Sequence, residues 1–243
     1  MVRIWVRATM DFDDEEAFRG QLLPRLREPI ALWDATFEMP WRVFRSRLRG
    51  IARGNLERIE GAQIATWDGI PEGALVLPCD DDDWFRPDVA AVVEEAMQPG
   101  MAGLRWRSSF LEVPRDFRHL LGTYRRQVKG YRRQFLCTTN NHALFASEAS
   151  KPLMIDHMQA SEWVATQPPD DVPFLRERMS LQNRTIASQT SLVPQRTTIG
   201  RRHLLRKLGR YRRLYARPLP ADLAWAQPYA DQVGALMEEL RLR

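Results

Sequence analysis

The sequence predicts an α/β fold in which helices flank a mixed central sheet and a basic helical region follows at the C-terminal side. Three observations carry that expectation. Short apolar or alternating segments of strand length recur between longer segments of helical period. One of them, "ALVLPCDDDDWFRPD" (74–88), runs through four consecutive aspartates into a helical pattern, as a strand-to-helix connection of an open sheet does. Charge is also divided: the net +5 hides eleven Lys and Arg with no Asp or Glu from Arg178 to Pro220, which leaves −6 on the rest of the chain.

With 243 residues, 44% of them hydrophobic, the chain can bury a full core. The expected division is a main domain over 1–200 and a basic helical extension over 201–243 packed on it. No basic, apolar and small-residue sequence typical of a leader opens the chain, and no apolar run reaches bilayer length. The expected location is therefore cytoplasmic, with peripheral membrane contact allowed. Cys79 and Cys137 each follow an apolar segment, where a buried thiol is ordinary, and two cysteines are too few for a disulfide framework or a thiolate zinc site.

The elements follow in order. "VRIWVRATM" (2–10) alternates apolar and polar and reads as a strand. "DFDDEEAFRGQLLPRLRE" (11–28) has early acids and late bases, as a helix dipole favours. From Trp41 to Ile59, Phe44, Leu48, Ile51 and Leu56 form one apolar stripe among arginines, an amphipathic helix. Ala74–Leu77 is a short apolar strand, and Pro87 suits the first turn of a helix through "DVAAVVEEAM". Gly103–Val113 reads as a further strand. A basic helix or hairpin follows, with "YRRQ" at Tyr124 and again at Tyr131. "FLCTTNNHALFAS" (135–147) gives two apolar pieces around a turn at Asn140 and Asn141. "SEWVATQPPDDVPF" (161–174), with three prolines, reads as a surface loop. "RRHLLRKLGRYRRLY" (201–215) and Asp222–Leu242 complete the helices.

The acidic run holds the chemistry. Adjacent carboxylates repel, and Asp is disfavoured in strands, so Asp80 to Asp83 conflict with their position unless a cation or solvent screens them. Oxygen donors on a short turn suit a hard divalent cation such as Mg²⁺ or Mn²⁺, completed by water and substrate phosphates. The alternative is a solvated acidic turn at the start of the next helix.

The pattern Asp80-x-Asp82-Asp83-x-x-x-Pro87 after "ALVLP", with an aromatic directly after the acids, resembles the D-x-D-D-x-x-x-P signature of glycosyltransferases with the GT-A fold. It is most similar to the family-2-like and rhamnosyltransferase-like members. The match covers Ala74 to Met97, with softer similarity in "TTNNHALF" and "SLQNRTIAS". The resemblance implies a Rossmann-like GT-A sheet and a nucleotide-sugar-binding catalytic domain over 1–200. It implies transfer of a sugar from a nucleoside-diphosphate sugar to a hydroxyl of a glycan, lipid-linked or small-molecule acceptor.

By the same resemblance Asp80 would face the nucleoside end of the donor and share in holding the metal, Asp82 would bind the Mn²⁺ or Mg²⁺ that bridges the phosphates, and Asp83 would be a catalytic residue that supports that site or contacts the sugar. Trp84 would wall the sugar pocket or serve as a core aromatic. The family's base-binding Asp at a strand end has two candidates, Asp34 in "IALWDATF" and Asp68 in "QIATWDG". An inverting transferase also needs a carboxylate to accept the acceptor's proton, and among Asp156, Glu162, Asp170 and Asp171 the choice is Glu162. His157, and after it His142, are candidate third metal ligands or acceptor contacts.

Arg201, Arg202 or the "YRRQ" arginines suit a leaving diphosphate. The apolar stripe Leu204, Leu205, Leu208, Tyr211 and Leu214 fits either an interfacial helix on anionic lipid or a core-packed helix with a solvated basic face. Two other function classes stand beside the transferase. One is a metal-dependent phosphoryl-transfer enzyme or nuclease, which would need further converging carboxylates; the other is a basic nucleic-acid-binding module, whose phosphates the four aspartates would repel. Nucleic acid is therefore not an expected partner.

Overall fold

The structure, a computed structural model, describes residues 4–8, 23–65, 69–80, 83–111, 140–155, 157–188 and 200–243. It is a mixed α/β fold. The chain divides into two compact units. The first comprises Met1–Met10, Arg53–Phe110 and Gln127–Gln182; the second comprises Asp11–Ala52, Leu111–Arg126 and Asn183–Arg243.

The first unit holds the sheet. Its strands are β1 (Ile4–Ala8), β2 (Ala62–Ala65), β3 (Leu75–Cys79), β4 (Asp83–Phe85), β5 (Gly103–Leu111), β6 (His142–Phe145) and β7 (Phe174–Asn183), in the order β2-β1-β3-β6-β5-β7-β4. β1 pairs parallel with β2 and with β3 (Ile4 opposite Leu75), while β6 is antiparallel to β3 and to β5. β7 runs beside β5 in the same direction: the amides of Ala102 and Arg105 donate to the carbonyls of Asp171 and Pro173, and farther along the indole of Trp106 donates to Ser180. β4 is antiparallel to β7.

β3 is buried at every residue, as expected of a strand covered on both faces. Its ladder to β6 ends at Val76, two residues before Pro78, which has no N–H to donate. Helix α3 (Val89–Ala96) lays Val89, Ala90 and Val93 against Leu75, Leu77 and Cys79 of β3 and Leu104 and Trp106 of β5. Val76 and Leu144 face the opposite layer with Leu153 and Trp163, from helices α4 (Lys151–Ile155) and α5 (His157–Thr166). Each fully buried aliphatic side chain in these layers contributes roughly 1.5–3 kcal/mol. At the start of β5, Gly103 allows the close approach of β6: a Cβ there would lie 2.6 Å from the Ala143 carbonyl oxygen.

The second unit is helical: α1 (Leu23–Thr36), α2 (Trp41–Leu56, through Ala52), α6 (Arg201–Tyr215), a 3-10 turn (Ala221–Ala226) and α7 (Gln227–Glu238). Trp33 packs on Phe37 and Phe44 at 4.8 and 5.1 Å between ring centroids. α6 packs on α7 and α1 and buries Leu204, Leu208, Tyr211 and Leu214, with Leu205 half-buried. Its apolar stripe is thus core packing. The Arg212 guanidinium donates to the carbonyls of Met237 and Leu240, and a bidentate pair joins Arg47 to Glu239.

Several expectations are corrected. The helix expected to end at Glu28 continues through Pro29 to Thr36. Ser161–Thr166 is helical rather than loop, because Ala160, Ser161 and Val164 are buried on one side of α5. Pro87 precedes α3, which starts at Val89, because the short strand β4 stands between the acidic run and the helix. The last helix is split into the 3-10 turn and α7. The "YRRQ" pair and Cys137 lie outside the described residues, as do residues 11–22 of the first expected helix. Among the described residues no helix is long and apolar enough to cross a membrane.

Candidate functional site

The strand directions place the C-terminal ends of β3, β5 and β7 on one edge of the sheet, together with the starts of β4 and β6. Along that edge the sheet changes character. Leu75, Leu77, Leu104 and Ala143 give way to Asp83, Ser108, Ser109, Asn140, Asn141 and Gln182, all of them buried. A buried polar side chain costs free energy unless it is hydrogen-bonded, so a row of them marks a place built for polar contacts. This is also the edge at which open α/β sheets bind ligands.

The acidic run turns at this edge. The Asp83 amide donates to the Asp80 carbonyl (3.2 Å), and the thiol of buried Cys79 donates to the same oxygen (3.2 Å). Asp80 is half-buried, whereas Asp83 is only 2% exposed and pairs across the ladder with Gln182. Strand alternation puts Asp83 and Phe85 on one side of β4 and Trp84 on the other. Trp84, read as pocket wall or core aromatic, is fully buried.

β4 is the last strand of the sheet, and an edge strand leaves one row of backbone groups unpaired. Asn55, in the last turn of α2 and fully buried, meets that row. Its Nδ2 donates to the Phe85 carbonyl (2.8 Å) and its Oδ1 accepts from the Phe85 amide (2.7 Å), so the carboxamide acts as the strand that is missing. β4 is therefore held by the β7 ladder on one side and, at Phe85, by Asn55 on the other. Nearby, Ser108 donates to Asn140 Oδ1 (3.0 Å), and Asn141 exchanges hydrogen bonds with the Trp106 backbone, accepting from its amide at 3.0 Å and donating to its carbonyl at 3.2 Å. The fully buried Ser109 hydroxyl has no hydrogen-bond partner among the described residues.

The other sequence candidates are spread out. Asp34 is not at a strand end: it lies on α1, and its Oδ1 accepts the amide of Trp41 at the start of α2 (2.8 Å). This is the cap expected of an Asp beside a helix N-terminus. Asp170 and Asp171 sit at the opposite edge of the sheet, where the Asp171 carbonyl takes the Ala102 amide. Glu162 is exposed on α5; His142 is buried at the start of β6, and its register partner is Arg105. Arg201 and Arg202 are exposed at the start of α6, in the helical unit. Asp68, Asp82 and Asp156 lie outside the described residues, as does the side chain of His157.

Sequence reasoning missed Asn55, Ser108, Ser109 and Gln182. The signal for the last three is polarity inside apolar strands, in "RWRSSFL" and "MSLQN"; Asn55 carried none, since its partner lies 30 residues away. Among the described residues no group of three His, Cys, Asp or Glu side chains converges as a metal site. No family model, curated protein or solved structure matches the chain.

Proposed function

We propose that the chain is a metal-dependent glycosyltransferase of GT-A type, moving a sugar from a nucleoside-diphosphate sugar to a hydroxyl acceptor. The observation that supports this reading best is the setting of the D-x-D-D-x-x-x-P run: it leaves a buried parallel strand at the sheet's carboxyl edge, an edge that also carries buried polar side chains, among them the Ser109 hydroxyl, which has no partner among the described residues. The residue types fit a hard cation, because Asp80 and Asp82 are both carboxylates, two positions apart in the acidic run. A bound Mn²⁺ or Mg²⁺ would supply neutralisation of charge on the departing diphosphate.

In the transfer the acceptor oxygen bonds to the anomeric carbon as the bond to the diphosphate breaks, and the acceptor's proton passes to a carboxylate. Glu162 is the residue proposed for that base. Asp83 and the polar edge orient the sugar.

A thermal-shift titration with UDP, GDP, CDP and dTDP, each with and without Mn²⁺, tests the reading on the parent and on Asp82→Ala. The expected result is stabilisation that needs both Mn²⁺ and one of the nucleotides and disappears in the variant; at a hundred times Kd it would amount to about 2.7 kcal/mol. No shift with any combination would reduce the acidic run to a solvated turn.

A further inference from the structure

We propose that the outer face of α6 is a docking surface for the headgroups of an anionic phospholipid bilayer, held by charge alone and without insertion. α6 has two faces. An amphipathic helix at a membrane buries its apolar face among the acyl chains. Here that face is already used: Leu204, Leu208, Tyr211 and Leu214 are 1%, 4%, 3% and 1% exposed. On the other side Arg202, Arg206, Arg210 and Arg213 recur at spacings of four, four and three. At 3.6 residues per turn they span an arc of about 80° along about 17 Å of helix. Arg202, Arg206 and Arg213 are exposed, α6 contains no acidic residue, and none of the three pairs with a described carboxylate.

The one-signed field of this stripe reaches its neighbour. His203, whose Nδ1 lies 3.3 Å from Arg206, is held below the usual histidine range first by burial and then by Lys207, Arg206 and Arg210. Tyr211 and Tyr215, the aromatics that would stack on nucleobases, are both 3% exposed. What remains on the outer face of α6 is a row of guanidinium groups with no exposed aromatic side chain on that helix. Such a row can touch a flat sheet of phosphates along its whole length. The inference uses only residues of the helical unit and does not depend on glycosyl transfer.

Cosedimentation with vesicles tests it: phosphatidylcholine alone against an equimolar mixture with phosphatidylglycerol, for the parent, the triple variant Arg202→Gln/Arg206→Gln/Arg213→Gln, and the same three positions changed to Lys. Each basic residue at an anionic surface is worth about fivefold in affinity. The Gln triple should therefore bind anionic vesicles about a hundredfold more weakly, and the Lys triple should bind like the parent. Binding should also collapse as salt rises toward about 1 M, where the Debye length is about 3 Å. Equal pelleting with neutral vesicles, or a Gln triple that binds like the parent, would overturn the proposal. So would duplex DNA that displaces the protein from vesicles at equal phosphate concentration, an outcome that assigns the face to nucleic acid.

Discussion

Asn55 shows how much can rest on one side chain. Both amide atoms of its carboxamide are spent on Phe85, and the site is closed to water. Truncation would leave the Phe85 N–H and C=O buried and unpaired, at about 1–3 kcal/mol for each group. Asn55→Ala should therefore lower the unfolding free energy by roughly 2–4 kcal/mol, read as a shift of the urea midpoint at constant m-value. A loss below about 0.5 kcal/mol, the range of ordinary surface changes, would show that β4 does not depend on the clamp. The sequence around this residue, "ARGNLERI", reads as the end of a helix, where Asn is common. Nothing local ties it to a strand formed after the acidic run, so a pairing that organises the candidate site stayed invisible. Asp83 was legible for the opposite reason: charge in a strand context contradicts local preference, and such a contradiction is visible without a partner.

At the level of elements, the strongly periodic segments were the readable ones. The amphipathic helix from Trp41 and the stripe of α6 were legible because leucines and aromatics at helical spacing must be buried somewhere. α5 hid because its buried side includes Ala160 and Ser161, small residues that add little to an apolar period, and because Pro168 and Pro169 follow. α1 passes through Pro29 against a cost of about 3 kcal/mol, which burial of Leu26 and Trp33 offsets at roughly 1.5–3 kcal/mol for each side chain. Such a trade depends on tertiary packing and cannot be read locally. Among the strands, β5 tolerates only glycine at its start. The Cβ of Gly103→Ala would meet Leu144 Cδ2 at 2.5 Å as well as the Ala143 backbone oxygen, and backbone cannot step aside as a side-chain end can. This substitution should cost about 1–3 kcal/mol by overpacking, measured by thermal unfolding, while alanine at Gly50, which has open space around it, should be neutral or stabilising. Equal effects at the two positions would argue against so close a β5–β6 approach.

For the molecule as a whole, the uneven charge visible in the sequence becomes a matter of where protons bind. Two groups of the helical unit, Glu239 and His203, have their titration displaced by folding in the acid range. Glu239 is held below its ordinary value of 4.5 chiefly by its hydrogen bond from Arg47. A carboxylate depressed in this way adds stability that is complete above the unfolded value and is lost as pH falls through the folded one. His203 is held below its ordinary 6.5 by burial and then by its basic neighbours. Below about pH 6.5 the unfolded chain takes up a proton at this position before the folded chain does, so stability again falls with pH. The two effects share a sign and differ in window. Melting temperature followed from about pH 8 down to about pH 4 should decline first below about 6.5 and again below about 4.5. His203→Gln should flatten the first decline and leave the second; Arg47→Met, which frees Glu239 to titrate normally, should weaken the second and leave the first. Raising the salt concentration should soften the second decline, because the Arg47–Glu239 pair is half exposed, and the first only in the part that the basic neighbours of His203 contribute beside burial. An acid decline that His203→Gln leaves unchanged would mean that burial and the basic neighbours on α6 together do not raise the cost of protonating this histidine.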